Sequence, residues 1–213
     1  MGWDFAWFII IYNMDNNHPL YAKLHKYRII LASQSPRRKQ LMSGMDIPFE
    51  IIVKQDIEEN FPDNLSKIEI PEYLAIQKAD AYQELKNDGN NLIITSDTIV
   101  WLHAKVIGKP ERFDDAVNIL QQLSGQMHEV VTGVALTARD KQKVFHAITK
   151  VWIRDLSEEE IVYYLEKYQP FDKAGAYGIQ EWIGYAAVEK IEGSFHNVMG
   201  LPVQMLYKEL LSF

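Results

Sequence analysis

Apolar residues fall along this chain in two rhythms. Short runs rich in Val, Ile and aromatic residues occupy 28–32, 49–53, 91–102, 105–107, 126–139, 142–153 and 186–191, and they read as strands. Between them, apolar residues recur at helical spacing. Ser35 suits an N-cap and Pro36 the first helical position, with helix formers from Arg37 to Met42. A helix over 71–86 places Leu74, Lys78, Ala81, Tyr82 and Leu85 on one inward face. Further helices are expected over 114–123 and 157–167. The latter is capped by Ser157, has Glu158 to Glu160 in its first turn and ends at Pro170; Pro202 opens a terminal helix. Residues 54–64, 174–180 and 193–200 read as loops, and Asp140-Lys141 as a turn. Strands and helices alternate early and long strands pair late, which predicts an α/β fold around a mixed sheet.

Composition narrows the picture. With 213 residues, 47% hydrophobic and 24% charged, the chain can bury one sizeable core or two small lobes, and nothing in it reads as repetitive or disordered. It contains no cysteine, so disulfides, thiolate chemistry and zinc-thiolate sites are excluded and a cytoplasmic setting is expected. A net charge of −7 argues against broad nucleic-acid binding but leaves room for a local cluster of cations around one small anion. Residues 1–13 are apolar with Asp4 as their only charge. A helix there would be about 20 Å long, short of the ~30 Å hydrocarbon core, and the stretch lacks the basic start and small-residue cleavage site of a secretory signal. The polar segment after Met14 is more typical of a native start. We therefore expect 1–13 to come from an upstream start assignment, 1–27 to be an extension, and 28–213 to form a single domain.

Some residues stand out against this background. Arg37 and Arg38 sit at a helix N-terminus, where the macrodipole disfavours cations unless an anion joins them; alone, they read first as arginines pointing into water. Asp97 lies inside the most apolar strand, between Ser96 and Thr98, where an ionised carboxylate needs a partner, a metal or a structural ion pair. Lys78 falls on an apolar helical face and either snorkels outward or serves a site. Asp56, Glu58 and Glu59 could be a solvated acidic turn, and Gly108-Lys109-Pro110 an ordinary one. Gly175 and Gly178 bracket Tyr177 in a loop whose backbone can approach a ligand closely. His128 has no metal-ligand partner at helical spacing and reads as structural.

In order, the chain carries Leu31-Ala32-Ser33-Gln34-Ser35-Pro36-Arg37-Arg38, Asp56-Ile57-Glu58-Glu59, Leu74-Ala75-Ile76-Gln77-Lys78-Ala79, Ser96-Asp97-Thr98, Gly108-Lys109-Pro110, Leu123-Ser124-Gly125 with His128, and Thr132-Gly133. Asp172 to Gln180 (DKAGAYGIQ) and Gly193-Ser194 with Asn197 to Pro202 follow. This series resembles the Maf family of nucleoside-triphosphate pyrophosphatases, block by block. The resemblance implies an elongated twisted mixed sheet flanked by helices, similar to inosine-triphosphate pyrophosphatases, with two lobes around a central cleft. It implies hydrolysis of a nucleoside triphosphate between the α and β phosphates. Asp97 would be the proton acceptor, with Glu59, Lys78, Lys109 and Arg38 completing the catalytic group. Glu59 and Asp97 would hold a divalent cation, Mg²⁺ or Mn²⁺, while Ser33, Arg37, Thr98, Lys173 and Gln180 would bind substrate or set specificity. The expected partner is the nucleotide, with no nucleic acid and no membrane; a homodimer is allowed.

Arg37, Thr98 and Gln180 match the family branch acting on dTTP and UTP. The branch acting on 7-methyl-GTP carries tryptophan, Asp-Gln and glutamate at the corresponding places. Glu181-Trp182 departs from a glycine common in the family and could tilt Gln180 or supply an acceptor itself. A non-catalytic nucleotide sensor acting in cell division is the alternative of a different class. Against it, Glu59 and Asp97 would repel phosphate unless a cation lay between them.

Overall fold

The structure, a computed structural model, describes residues 8–9, 14–55 and 57–213. The elements in order are β1 (Phe8–Ile9), α1 (Tyr21–Leu24), β2 (Arg28–Leu31), α2 (Pro36–Ser43), β3 (Glu50–Ile51), α3 (Glu69–Asp80), α4 (Gln83–Asn87), β4 (Asn91–Leu102) and β5 (Lys105–Ile107). They continue with α5 (Phe113–Leu123), β6 (Met127–Ala138), β7 (Lys141–Ile153), α6 (Glu158–Tyr168), a 3-10 turn (Ala174–Ala176), α7 (Trp182–Ala186), β8 (Val188–Glu192), α8 (Phe195–Val198) and α9 (Val203–Leu211). The described strands form one mixed sheet in the order β1-β3-β2-β4-β6-β7-β8, with β5 on β4. Pairing is parallel for β2 with β3 and β4, and antiparallel for β1–β3, β4–β5 and β7–β8. The mixed α/β architecture read from the sequence is the one observed. No described helix is long and apolar enough to cross a membrane.

Two compact units emerge. The first comprises Met1–Asp97, Gly133–His146 and Gly200–Phe213. Its core includes Ile30, Ala32, Ile52, Tyr82 and Ile93, with Ile57, Ala81 and Leu85 packed against them. β2 and β4 run parallel with Ile29 opposite Leu92 and Leu31 opposite Ile94, and the β4 side chains from Asn91 to Asp97 are all buried. Burial on both faces suits a strand in the interior of the sheet, parallel to β2.

The second unit comprises Thr98–Thr132 and Ala147–Met199. Here α5 packs on α6 and on the 3-10 turn, burying Leu120, Leu123, Ile161 and Leu165. Ser157 caps α6 in a reciprocal box with Glu160, as its sequence signature requires.

Several boundaries differ from the sequence reading, each for a local reason. The single helix expected over 71–86 is two, α3 and α4. Lys54 Nζ donates to the Ala81 carbonyl at 2.5 Å, the Lys54 N–H donates to the Tyr82 hydroxyl at 2.9 Å, and Tyr82 leaves helical geometry at φ −108°, ψ 29°. α3 also begins earlier, at Glu69, because Pro71 is tolerated in a first turn whose N–H groups have no intrahelical acceptor. The strand expected over 49–53 narrows to Glu50–Ile51, flanked by buried Phe49 and Ile52. α7 forms between the expected loop and the expected strand, the single turn α8 forms inside the loop expected over 193–200, and β8 starts at Val188 rather than Ala186. Of the stretch 1–13, Phe8–Ile9 pairs antiparallel with β3; the rest of it, and Asp56, lie outside the described residues.

Candidate active site

Asp97 lies in the middle of β4 and is 8% exposed, so its charge has to be met inside the fold. Lys78 meets it: the ammonium is 2.5 Å from Asp97 Oδ1 and 2.8 Å from Glu59 Oε1. The lysine is placed by the docking of α3. Thr95 donates its hydroxyl to the Ala75 carbonyl at 2.7 Å, one turn before Lys78. Gly133 gives the start of α3 its seat, since a Cβ there would lie 2.3 Å from the Pro71 carbonyl. A lysine on an apolar face, a carboxylate in an apolar strand and a glutamate on a polar loop thus converge on one nitrogen. Desolvation offsets most of the Coulomb gain of such a pair, so its net contribution to stability is small and its chemistry is the better reason for it.

The second cationic element of this unit is α2. Ser35 caps it by accepting the Arg38 N–H, and Ser33 Oγ accepts the Ser35 N–H at 3.2 Å, which folds the segment before the helix onto itself. Arg38 Nε donates to the Gly200 carbonyl at 2.8 Å. Burial pulls the Arg38 guanidinium below its ordinary pKa; Asp97 and Glu59 oppose this and Arg37 adds to it. Arg38 therefore shares the electrostatic environment of the carboxylates, and an anion arriving there would relieve its repulsion with Arg37.

In the second unit, Thr98 and Thr132 hydroxyls lie 3.0 Å apart, and Thr132 donates to the Asn197 carbonyl at 3.2 Å. Fully buried Asn197 ties this line to β6 and β7 through its amide, which reaches the Val130 carbonyl, the Ala147 carbonyl and Thr149 Oγ1. Lys109 lies on an exposed turn whose Gly108 carbonyl accepts the Gly175 N–H at 3.1 Å. Lys173 is buried, and its ammonium contacts Asp172 at 2.7 Å and Glu181 at 3.3 Å. Gln180 Oε1 is buried without a hydrogen-bond partner. Glu181 does not project from the loop: its carboxylate accepts the Tyr164 hydroxyl and is largely enclosed. His128 bonds the Tyr177 hydroxyl at 2.7 Å, and burial pushes its pKa down to about 4, so it is neutral and structural.

Sequence reasoning did not single out Tyr164, Thr132 or Asn197 as supports of this region. Tyr164 gave the signal of an ordinary core position beside Ile161 and Leu165 on the inward face of α6.

The donor set suits a hard divalent cation. Among the described residues no group of three His, Cys, Asp or Glu gathers, but Mg²⁺ commonly takes one or two carboxylates and completes its shell with water and substrate phosphates. Glu59 and Asp97, both in contact with the Lys78 ammonium, are two carboxylates of the kind such an ion would need.

The Maf-like protein family matches residues 28–213. The dTTP/UTP pyrophosphatase of Bacteroides thetaiotaomicron is 55% identical over 191 residues, covering 90% of this chain and 98% of that one. That of Parabacteroides distasonis is 53% identical over 194 residues, covering 91% and 100%. The Ham1 protein of Staphylococcus aureus is a distant structural likeness, with a TM-score of 0.39 and 15% identity over 68% of this chain and 100% of that one. With the family matched from the first arginine of β2 to the final residue, and relatives more than half identical over nearly all of their own length, the chain belongs to the Maf family.

Proposed function

We propose that this chain is a nucleoside-triphosphate pyrophosphatase that hydrolyses dTTP and UTP to the monophosphate and pyrophosphate. The observation that carries the reading is the convergence of Glu59 and Asp97 on Lys78 in one partly buried site, whose carboxylates also act electrostatically on the guanidinium of Arg38. Relatives more than half identical, which are dTTP/UTP pyrophosphatases, supply the substrates.

Water adds to the α phosphorus, the α–β bridging oxygen leaves with pyrophosphate, and the water's proton passes to Asp97 Oδ. Lys78 holds that carboxylate in place. An ammonium has three donors, so two carboxylates leave one N–H of Lys78 for a phosphate oxygen. Arg37 and Arg38, at the N-terminus of α2, and Lys109, on its turn, hold the polyphosphate, and Ser33 adds a hydroxyl to the same segment. Glu59 and Asp97 would hold Mg²⁺ or Mn²⁺, which when bound offsets phosphate charge and polarises the reacting oxygens. Charge neutralisation and positioning dominate phosphoryl chemistry, which is why a site of this make-up suffices. Thr98 and Gln180 face the choice of base, and the neutral amide of Gln180 can both donate to and accept from a uracil or thymine edge. We read 28–213 as the working domain, with 1–27 as an extension, and place the reaction in the cytoplasm.

The test is the release of pyrophosphate from dTTP, UTP, CTP and 7-methyl-GTP, with Mg²⁺ or Mn²⁺ and after chelation. Expected are pyrophosphate rather than orthophosphate, fastest turnover of dTTP and UTP, and loss of turnover on chelation. Hydrolysis of 7-methyl-GTP at least about tenfold faster than dTTP and UTP would overturn the substrate assignment.

A further inference from the structure

The turn from Gly178 to Glu181 is fixed from both sides. Its Gly178 N–H donates to the Tyr164 hydroxyl at 2.9 Å, and the same hydroxyl donates to Glu181 Oε2. The Glu181 N–H closes the turn on the Gly178 carbonyl at 2.9 Å. Lys173 Nζ lies 3.3 Å from the other carboxylate oxygen, Oε1. No side chain fits between: a Cβ on Gly178 would lie 2.7 Å from Glu181 Cδ, and one on Gly184, in the following α7, would lie 1.7 Å from the Ile179 carbonyl oxygen. Between these anchors sits Gln180, whose buried Oε1 has no partner. A buried acceptor without a donor is costly, and a ligand that brought an N–H to it would satisfy it.

We propose that Glu181, Tyr164 and Lys173 are positioning residues that hold the 178–181 turn so that Gln180 Oε1 accepts the ring N3–H of uracil or thymine. The inference rests on the pyrimidine-triphosphate reading above and deepens it. Uracil and thymine present a donor at N3, whereas cytosine presents a bare acceptor there, so an amide oxygen held in place attracts the first pair and repels cytosine. Freedom at Gln180 would erase the distinction, because a rotated amide would offer its NH₂ to cytosine N3. The three supports remove that freedom from the backbone. Burial, then Glu181, raises the pKa of Tyr164, so the phenol stays protonated and remains a donor to the carboxylate. Lys173 acts through Glu181 and Asp172, the two carboxylates that share its ammonium, rather than on phosphate.

The deciding measurement is kcat and KM for UTP and CTP in the full chain, wild type against Tyr164→Phe and Glu181→Leu. Wild type should favour UTP. In the variants the UTP-to-CTP ratio of kcat/KM should fall about tenfold, with kcat for UTP within about threefold of wild type. A merely structural role would lower both substrates together and leave the ratio unchanged, which would overturn the proposal. Should Tyr164→Phe fail to fold, Glu181→Leu, which removes the acceptor of the Tyr164 hydroxyl at similar side-chain volume, decides alone. Wild-type protein that released no pyrophosphate from UTP would bring down the activity itself. Normal wild-type turnover and preference with an unchanged ratio in the variants would bring down only the positioning role.

Discussion

Around Lys78, two carboxylates lie within 2.8 Å of one ammonium, contributed by a loop, a helix and a strand. Around Gly178, the turn is set by a phenol, one enclosed carboxylate and two glycines with no room for a methyl group. The first region is held by mutual attraction among formal charges, so an arriving anion and cation can redistribute its contacts without breaking the fold. The second is held by hydrogen bonds through one phenol, an ion pair from Lys173 and two crowded glycines, so its contacts resist exchange. A site that must change partners during a reaction suits the first construction, and one that must discriminate between similar rings suits the second.

The comparison breaks most sharply at Asp97. Asp97→Asn keeps the shape of β4 but removes the charge that accepts the proton, and should lower turnover about 10²-fold or more at unchanged far-UV circular dichroism. Near-wild-type pyrophosphate release from a folded variant would end its role as acceptor. On the neutral side, pH should act through His128. Its pKa is depressed from 6.5 to about 4 by burial, so between those values the unfolded chain binds a proton that the folded chain refuses. The neutral histidine's contribution is complete above pH 6.5 and is lost as the pH falls toward 4, on the order of 3 kcal/mol in all. Urea unfolding of His128→Gln should therefore show a flatter pH dependence over this window than wild type, and identical slopes would refute the assignment.

A smaller effect is expected at Arg38. Arg38→Ala should cost about 1.5–3 kcal/mol in kcat/KM, more for triphosphates than for diphosphates. Equal, slight losses for both would show that it does not contact phosphate. The smallest is the cap beneath it: Ser35→Ala should lower stability by about 1 kcal/mol, read from the urea midpoint, by freeing the Arg38 N–H.

The charged region was the more legible in sequence, and the reason is physical. A carboxylate in the run Asn91–Leu102 and a lysine on the apolar face of α3 both violate local expectation, and each violation marked a partner. β4 occupies the residues expected, and Ser35 and Ser157 cap the helices assigned to them. The recognition turn was less legible because its supports obey the rules. Tyr164 reads as core on α6, and Glu181 reads as a polar loop residue until its carboxylate is seen under the Tyr164 hydroxyl. The break between α3 and α4 was equally hidden, since it depends on Lys54, far upstream, capturing the Ala81 carbonyl. Side-chain periodicity carries no sign of a long-range cap.

The seat of α3 also governs the order of assembly. The helix is local and can form early, but its register on the sheet is defined by Thr95 on β4 and by Gly133 on β6, both later in the chain. Lys78 cannot meet Asp97 until those strands have paired, and such distant contacts form slowly because long loops must close first. During refolding, helical signal should return ahead of hydrolysis, and a chain released before β6 has emerged would contain both partners of the ion pair without the surface that aligns them.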